Sequence, residues 1–260
     1  MSSRLKTPTE EQINSYREQG YLILPELFSA AELNELDRRF EALTLSPSPR
    51  PDAMKVMNDV MVVKGAVEPQ TPMHAINKLM NFEEDPDLYR YALHPGLLAG
   101  VRSLIGETIY SISTNVFNKP PGVDGRHPFH QDLRYFRIRP ADLIVGTWTA
   151  VFPATRESGC LAVIPGSHRG PLYEHKDPDW EFVNKGFFGI DGVDFSGRVH
   201  VELQPGDTLL FHPLLIHGSG HNRSTHFRRA ISAHYASVQC ESEIRDWTQG
   251  KQARLIPSSE

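Results

Sequence analysis

The triplet His130-Gln131-Asp132 contains side chains that could bind a metal ion. Side chains alternate between the two faces of a β-strand, so His130 and Asp132 are predicted to point to the same side. An imidazole and a carboxylate in neighbouring positions supply two of the three protein ligands in the facial arrangement of non-haem iron(II) oxygenases. His217, which follows a short apolar run and precedes Gly218, is the candidate for the third ligand.

Other histidines provide the alternative interpretation. The chain has 12 histidines, so a His-x-Asp triplet also arises by chance, and on the residues alone the metal site competes with ordinary core histidines. His127 lies close enough in sequence to contact the metal ligands without binding the metal itself, although nothing in its spacing requires this. Five more are expected to be solvated or to be hydrogen-bonded in the core, namely His168, His200, His212, His221 and His234.

Arg228 is a second candidate functional residue, because it begins a strand-like run at residues 228–232. A guanidinium can bind a carboxylate through two parallel hydrogen bonds, which suits the distal end of a dicarboxylic keto acid. The alternative is a surface arginine at the end of a strand. Arg229 is adjacent and should face the opposite side, so we expect one of the two to be a surface charge.

These side chains must be positioned by a helical N-terminal part and by the short strands that follow it. Capping-box spacing at residues 7–10 and 29–32 predicts two helices, the first with Thr7 as its cap and with its end at Gly20. A short strand is predicted between them at residues 21–25. A third helical region is predicted at residues 87–105, which end before Gly106.

Beyond residue 106 the sequence changes to short runs rich in β-branched and aromatic residues, with Pro-Gly turn signals between them. Strands are predicted at residues 109–117, 143–152, 160–164, 199–203, 208–211 and 230–238. The pattern predicts a mainly β protein whose double-stranded β-helix (jelly roll) core, at about residues 107–240, is buttressed by N-terminal helices at about residues 8–106. We expect a single domain over residues 1–260, with loops at 46–72 and 171–198 that cover the site.

The overall composition excludes several classes of protein. A net charge of −5 gives no reason to expect nucleic acid as a partner, and no apolar run approaches the roughly 20 residues that span a bilayer. Cys160 and Cys240 are too few for a disulfide framework or a Cys-rich zinc site. The polar N-terminal sequence lacks the apolar core of a secretory signal, and the final residues are not a Ser-Lys-Leu peroxisomal signal. These features predict a cytoplasmic protein.

Longer runs around the candidate residues resemble the phytanoyl-CoA dioxygenase family. The resemblance extends from about Lys78 to Cys240, and it is especially close to the phytanoyl-CoA hydroxylases in residues 118–121, 126–133, 139–145 and 211–220. The motifs that carry it are His130-Gln131-Asp132, Ile164-Pro165-Gly166-Ser167-His168, Pro205-Gly206-Asp207, His217-Gly218-Ser219 and Arg228.

The resemblance implies a role for each of these candidates. His130, Asp132 and His217 are expected to bind iron(II). Arg228 and Ser219 are expected to hold the C5 carboxylate of 2-oxoglutarate. Arg228 therefore changes from a possible surface residue to a co-substrate anchor, on the strength of the resemblance.

The resemblance also implies a wider pocket. Lys78 and Trp148 are expected to line it, and Gln131 is expected to lie close to iron and substrate. Without the resemblance, Trp148 would pass for a core aromatic residue. Asn115 falls where the hydroxylases carry a methionine that contacts the co-substrate, so the shape of the pocket is expected to differ there.

The implied activity is that of a 2-oxoglutarate-dependent hydroxylase that uses Fe(II), 2-oxoglutarate and O2, with ascorbate as a candidate reductant. The implied substrate is a small molecule, a branched or long-chain acyl-CoA that is hydroxylated at carbon 2. Five basic residues near the metal-binding strand are candidates for contacts with CoA phosphates, with a solvated rim as the alternative: Lys119, Arg126, Arg134, Arg137 and Arg139.

Three other interpretations stay open. The same chemistry could act on a free acid, an amino acid or a terpenoid, because one scaffold serves many substrates. A non-catalytic jelly roll could bind metal and keto acid without oxidising anything. A cupin with zinc or manganese could catalyse isomerase or lyase chemistry, but such a site predicts more histidines on one strand than the one in residues 130–132.

Overall fold

The computed structural model describes residues 7–46, 49–242 and 253–258. Its helices are α1 (Glu10–Gln19), α2 (Ala30–Leu45), α3 (Val60–Val63), α4 (Pro86–Tyr89) and α5 (Pro95–Ile105), with 3-10 turns at Pro72–Ala75, Asp132–Tyr135, Ala141–Leu143 and Ser167–Arg169. Its strands are β1 (Tyr21–Leu24), β2 (Lys55–Asn58), β3 (Ile76–Met80), β4 (Ile109–Lys119), β5 (His127–His130), β6 (Ile138–Arg139), β7 (Ile144–Ala150), β8 (Leu161–Val163), β9 (His175–Lys176), β10 (Gly189–Ile190), β11 (Val199–Val201), β12 (Thr208–Phe211), β13 (His217–Ser219), β14 (Arg228–Ser237), β15 (Glu241–Ser242) and β16 (Arg254–Ile256).

Two antiparallel sheets form the jelly roll that the sequence predicts. The larger sheet has the order β1-β12-β7-β14-β4-β3-β2, with β16 also paired to β4, and the smaller sheet has the order β11-β8-β13-β5. Side chains from both sheets form one interior core, including Trp148 and Leu209 from the larger sheet and Val163 from the smaller one. The four strands β12, β7, β14 and β4 therefore face the four strands of the smaller sheet, which is the double-stranded β-helix arrangement.

The N-terminal helices begin and end where local chemistry dictates. Both halves of the predicted capping box are present at Ser29 and Glu32 at the start of α2. In α1 the cap is Thr9 and not Thr7, because it is the Thr9 side chain that bonds with Gln12. The helix ends as predicted at Gly20, whose φ of 84° lies in the left-handed region that glycine tolerates.

The region predicted as one helix at residues 87–105 is two helices. The first, α4, ends at Tyr89, and α5 starts only at Pro95, with His94 as its cap. Proline suits the first turn of a helix but disfavours helical backbone in the residue before it, so the helical pattern is interrupted here. No helix of the described residues is long and apolar enough to cross a membrane.

The helices cover the outer face of the larger sheet. Leu36 and Phe40 of α2 and Leu97 of α5 lie in one core cluster with Ile231 and Tyr235 of β14. Because strand side chains alternate, the outward residues of β14 meet the helices while the inward residues face the jelly-roll interior. The helical layer thus fixes the sheet whose other face carries the site.

Arg229 corrects the expectation that one of the two adjacent arginines is a surface charge. Its side chain is 1% exposed and forms an ion pair with Asp37 of α2, while Glu41 accepts a second hydrogen bond at 3.2 Å. The Arg229 guanidinium also donates to Asn118 Oδ1. Strand alternation was predicted correctly, but the outer side of this strand is covered by α2, so both arginines are buried.

The strands β2 and β3, which the sequence did not predict, extend the larger sheet beyond β4. β3 pairs Lys78 with Phe117 of β4, so the segment ahead of the jelly roll contributes a side chain to its interior. Residues 171–198 were expected to be irregular, but they include the short antiparallel pair β9 and β10.

Candidate functional site

His130, Asp132 and His217 come together where the smaller sheet meets a 3-10 turn. His130 is the last residue of β5 and lies directly opposite His217, the first residue of β13. Gln131 keeps an extended backbone, so Asp132 returns to the same side as His130 before the turn begins. The Asp132 carboxylate lies 3.2 Å from His130 Nε2 and 3.7 Å from His217 Nε2, and all three ligand atoms fall within 4.8 Å of one another.

The two histidine rings are oriented for metal binding. His130 Nδ1 lies 2.8 Å from Pro128 O, and His217 Nδ1 lies 2.9 Å from Leu215 O. A carbonyl oxygen can only accept, so each Nδ1 carries the hydrogen and each Nε2 presents a lone pair. Burial lowers the pKa of His217 to about 4, so that ring is neutral at neutral pH. Two nitrogen lone pairs and a carboxylate therefore converge on one point, and a divalent cation fits this donor set.

His234, which was expected to be an ordinary core or solvated histidine, belongs to this site. Its Nε2 lies 2.7 Å from Asp132 Oδ2, so it holds the carboxylate from behind. Burial alone would raise the pKa of Asp132, but the nearby His217, His234 and His130 keep it well below its usual range. The sequence contained a signal for this role, because His234 lies six residues after Arg228 on β14 and therefore on the same face of the strand.

Gly146 on β7 makes room for the His234 ring. A Cβ at this position would lie 2.9 Å from His234 Nε2 and 2.5 Å from the ring of Phe211. Both distances are too short for carbon, so any side chain here would displace His234 or Phe211. The glycine thereby supports the contact between His234 and Asp132.

Arg228 and Lys119 form a cationic end of the same interior. Arg228 is 3% exposed, lies 5.3 Å from the centre of the Trp148 ring, and has a buried Nε with no hydrogen-bond partner. Lys119 is 4% exposed and donates to Ser219 Oγ at 2.9 Å and to Gly220 O at 2.5 Å. Burial lowers the pKa of Arg228 to about 10, and burial together with Arg228 lowers that of Lys119.

The metal-ligand cluster and the cationic end share one cavity of about 380 Å³. Its lining includes five of the residues predicted for the co-substrate pocket, namely Lys78, Asn115, Trp148, Ser219 and Arg228. Asn115 and Trp148 both flank Ser232 of β14 across neighbouring strands, so three adjacent strands form one wall. Lys78 Nζ lies 4.7 Å from the centre of the Phe117 ring, and burial lowers its pKa to about 8.

Gln131 lies elsewhere, so the structure does not support its predicted place close to iron and substrate. Its amide nitrogen donates to Pro171 O and Leu214 O, and its amide oxygen accepts from the Tyr173 backbone. Gln131 points to the opposite side of the extended segment from His130 and Asp132, as strand alternation requires. Its role in the described structure is to fix the start of the 171–198 segment against the metal-binding strand.

The basic residues predicted for the rim have different environments. Lys119 is inside the jelly roll. Arg126 pairs with Asp124 at 2.7 Å, and Arg139 donates to two backbone carbonyls. Arg134 lies over the ring of Phe188, with 3.9 Å between the guanidinium carbon and the ring centre, while Arg137 is exposed.

Both segments that were expected to be loops contribute to the cavity. Met57 of β2 and the run Lys185-Gly186-Phe187 line it. The Phe187 ring stacks on His127 at 3.9 Å between centres, and His127 stacks in turn on His130 at 4.0 Å. His127 thus lies between the metal-ligand cluster and the 171–198 segment.

A hydrogen-bonded pair, the Asp59–Asn184 clasp, joins these two segments. Asn184 Nδ2 donates to Asp59 Oδ2 at 3.0 Å, and Asn184 Oδ1 accepts from the Val60 backbone at 2.8 Å. Both side chains are buried, and Asn77 beside Lys78 contributes a third hydrogen bond to Asp59 Oδ2 at 3.3 Å. The clasp connects the walls that close the cavity on either side.

Comparison with known proteins identifies the family. A model of the family described as phytanoyl-CoA dioxygenase (PhyH) matches residues 16–230. A probable phytanoyl-CoA dioxygenase of Caenorhabditis elegans is 44% identical over 87% of this chain and 75% of that protein. The human peroxisomal phytanoyl-CoA dioxygenase is 43% identical over 89% of this chain and 69% of that protein.

Solved structures with the same fold are more distant in sequence. The α-ketoglutarate-dependent carbocyclase SnoK of nogalamycin biosynthesis has a TM-score of 0.71 at 18% identity, covering 98% of both chains. The epimerase SnoN, solved with Fe3+ and α-ketoglutarate, has a TM-score of 0.68 at 20% identity, covering 96% of this chain and 95% of that one. From the family match, the close relatives and the geometry of the site, this chain belongs to the phytanoyl-CoA dioxygenase family and is a 2-oxoglutarate-dependent dioxygenase.

Proposed function

We propose that this enzyme hydroxylates carbon 2 of a branched or long-chain acyl-CoA. One oxygen atom of O2 enters the substrate as the hydroxyl group, and the other enters 2-oxoglutarate, which leaves as succinate and carbon dioxide. The C–H bond of the substrate and the C1–C2 bond of 2-oxoglutarate break, so atoms and electrons balance without another reductant in a complete turnover.

His130, Asp132 and His217 would hold the iron in this proposal. Bound iron supplies the reductive activation of O2, and the chain supplies orientation and the exclusion of water. Three protein ligands would leave room at the metal for a keto acid and for O2. The Nδ1 hydrogen bonds of both histidines keep their lone pairs directed at the metal position.

One observation carries the co-substrate assignment: a buried Arg228 shares a cavity with the metal-ligand cluster and has no carboxylate partner among the described residues. Buried charges in proteins are normally paired, so this guanidinium favours an anion that enters the cavity. A dicarboxylic keto acid could contact both the metal-ligand cluster and Arg228. Its keto and C1 carboxylate oxygens would face the metal position, and its C5 carboxylate would bind Arg228 and Ser219.

The shape and charge of the entrance support an acyl-CoA. Apolar side chains that suit an acyl chain line much of the cavity, among them Met57, Met80, Ile112, Phe136, Leu161 and Phe187. Lys185 is exposed at the mouth, and Arg134 and Arg137 lie on the segment that follows the metal-binding strand. Phosphate groups outside the cavity could bind these cations while the acyl chain enters.

A second candidate substrate class is a free acid, amino acid or terpenoid. Asn115 and Ser113 are polar groups of the cavity wall, and Asn115 Nδ2 donates to Ser113 Oγ at 3.2 Å. Asn81 also lines this wall. A wall with amide and hydroxyl groups favours a substrate that carries several polar groups near the metal, whereas an acyl-CoA hydroxylated at carbon 2 has only its thioester carbonyl there.

The experiment is an anaerobic reconstitution with Fe(II) and 2-oxoglutarate, followed by admission of isotopically labelled O2. Phytanoyl-CoA, a straight-chain acyl-CoA and the free acids are compared by mass spectrometry, with succinate measured in parallel. We expect one labelled oxygen in the acyl-CoA. Succinate without any acyl-CoA product would reject the acyl-CoA proposal and favour the second substrate class.

Two variants separate the parts of the proposal. Asp132→Ala should abolish succinate formation, because it removes the anionic ligand, and normal turnover would contradict the metal assignment. Lys185→Glu should raise the KM for the acyl-CoA but not for the matching free acid, because only the CoA ester carries phosphates for Lys185. Equal KM changes for both substrates would contradict the phosphate contact.

A further inference from the structure

We propose that Lys119 is a positioning residue for the C5 carboxylate of 2-oxoglutarate: it directs the Ser219 hydroxyl into the cavity and adds a second positive charge behind Arg228. The inference rests on the proposed co-substrate role of Arg228 and Ser219. It assigns to Lys119 a function inside the jelly roll, in place of the rim contact that its sequence position suggested.

Lys119 and Arg228 face each other directly. Lys119 is the last residue of β4, Arg228 is the first residue of β14, and the two are partners across the antiparallel pair. Like charges directly opposite on adjacent strands destabilise a sheet, and here both side chains are almost completely buried. The arrangement is therefore costly without an anion.

The carboxylates of Asp124 and Asp59 lie near Lys119, but neither forms an ion pair with its ammonium among the described residues. The described residues give its ammonium two acceptors, Ser219 Oγ and Gly220 O, both of which are neutral. Among the described residues, Arg228 likewise has no carboxylate within ion-pair distance. A carboxylate bound beside Arg228 would supply the missing negative charge for both cations.

Ser219 connects Lys119 to the cavity. A hydroxyl group has one hydrogen and two acceptor lone pairs, whereas a charged ammonium group has only donors. Ser219 Oγ must therefore accept from Lys119, and its own hydrogen stays available for another acceptor. Ser219 and Arg228 line the cavity while Lys119 lies behind Ser219, so a carboxylate in the cavity can receive that hydrogen.

The geometry makes a prediction about ligand selectivity that a purely structural lysine would not produce. Lys119→Met should weaken the binding of 2-oxoglutarate by at least about tenfold, the effect expected for a lost charge-assisted hydrogen-bonding group. It should leave the binding of 2-oxopentanoate unchanged, because this keto acid has a methyl group where 2-oxoglutarate has its C5 carboxylate.

Binding is measured by isothermal titration calorimetry on metal-loaded protein without O2, so that no turnover is needed. Equal losses for both keto acids would overturn the proposal, since they would indicate a general disturbance of the fold. An unchanged affinity for 2-oxoglutarate would overturn it as well. If the wild-type protein binds neither keto acid, the co-substrate assignment itself fails, which is a different result.

Two further variants keep the test decisive. Lys119→Gln removes the charge but keeps a donor, and the same selective loss is expected from it if Lys119→Met does not fold. Ser219→Ala should lower 2-oxoglutarate affinity selectively, and adding Lys119→Met should then cost less than it does in the wild-type background. Full additivity of the two changes would contradict an action through Ser219.

Discussion

His234→Leu removes the hydrogen bond that holds the Asp132 carboxylate, and the leucine side chain fills most of the space that the imidazole ring occupied. The bond joins Nε2 to an ionised oxygen at 2.7 Å in a buried site. Hydrogen bonds to charged groups contribute about 1.5–3 kcal/mol, which corresponds to about a tenfold to a hundredfold change in affinity. Loss of groups that orient metal ligands weakens metal binding by a similar factor, about 10–100. We therefore expect Fe(II) affinity to fall within this range.

The assay is an anaerobic Fe(II) titration in competition with a chelator of known affinity. His234→Gln retains an amide donor at a similar distance from the backbone and should recover most of the affinity. Asp142→Ala is the matched control, because it removes a His–Asp contact away from the site, His212 Nε2 to Asp142 Oδ1 at 3.0 Å, whose carboxylate is exposed. Wild-type affinity in His234→Leu would refute the reasoning, as would equal losses in the Leu and Gln variants.

Three predictions concern stability and the covering segments. Arg229→Met should lower the free energy of unfolding in urea by about 3 kcal/mol, because it leaves the partly buried Asp37 unpaired. Arg90→Met, at an exposed ion pair, is the control and should change it by less than about 1 kcal/mol. Equal effects of the two substitutions would contradict this. Burial lowers the pKa of Lys78 to about 8, so as the pH rises the folded state loses this proton before the unfolded state does. The stability of the metal-free wild type relative to Lys78→Met should therefore rise between pH 8 and 10.5. A difference in urea midpoints that does not change with pH would contradict this. Asn184→Ala should speed proteolysis within residues 171–198 and leave Fe(II) affinity unchanged; unchanged cleavage would mean that the Asp59–Asn184 clasp does not hold this segment.

The sequence was most informative where local rules apply. The capping box at Ser29, the glycine end of α1 and the strand at 208–211 agree with the structure. Alternation along an extended segment correctly placed His130 and Asp132 on one side, and the same rule explains why Gln131 lies outside the cavity. These features depend on neighbouring residues, which the sequence displays directly.

Features that depend on distant parts of the chain could not be obtained in this way. One of Arg228 and Arg229 was expected to be a surface charge, because Asp37, the partner of Arg229, lies far away in sequence on α2. Lys119 appeared to belong to a cationic rim because nothing local indicates that Arg228 lies opposite it. His234 could have been found from its shared face with Arg228, but its contact with Asp132 requires the sheets to close.

The Asp59–Asn184 clasp bears on attempts to change the specificity of this enzyme by exchanging loops with a relative. Segment 171–198 carries Phe187 and Lys185 to the cavity, so it is the natural piece to transplant. Its buried amide, however, is matched to a carboxylate and a backbone N–H of the segment that precedes β3. A graft that lacks a matching partner would leave Asp59 Oδ2 with only the longer hydrogen bond from Asn77 and would leave the Val60 N–H without its side-chain acceptor. The exchangeable module is therefore both segments together, and chimaeras should be cut so that residues 59–60 and 184 come from the same parent.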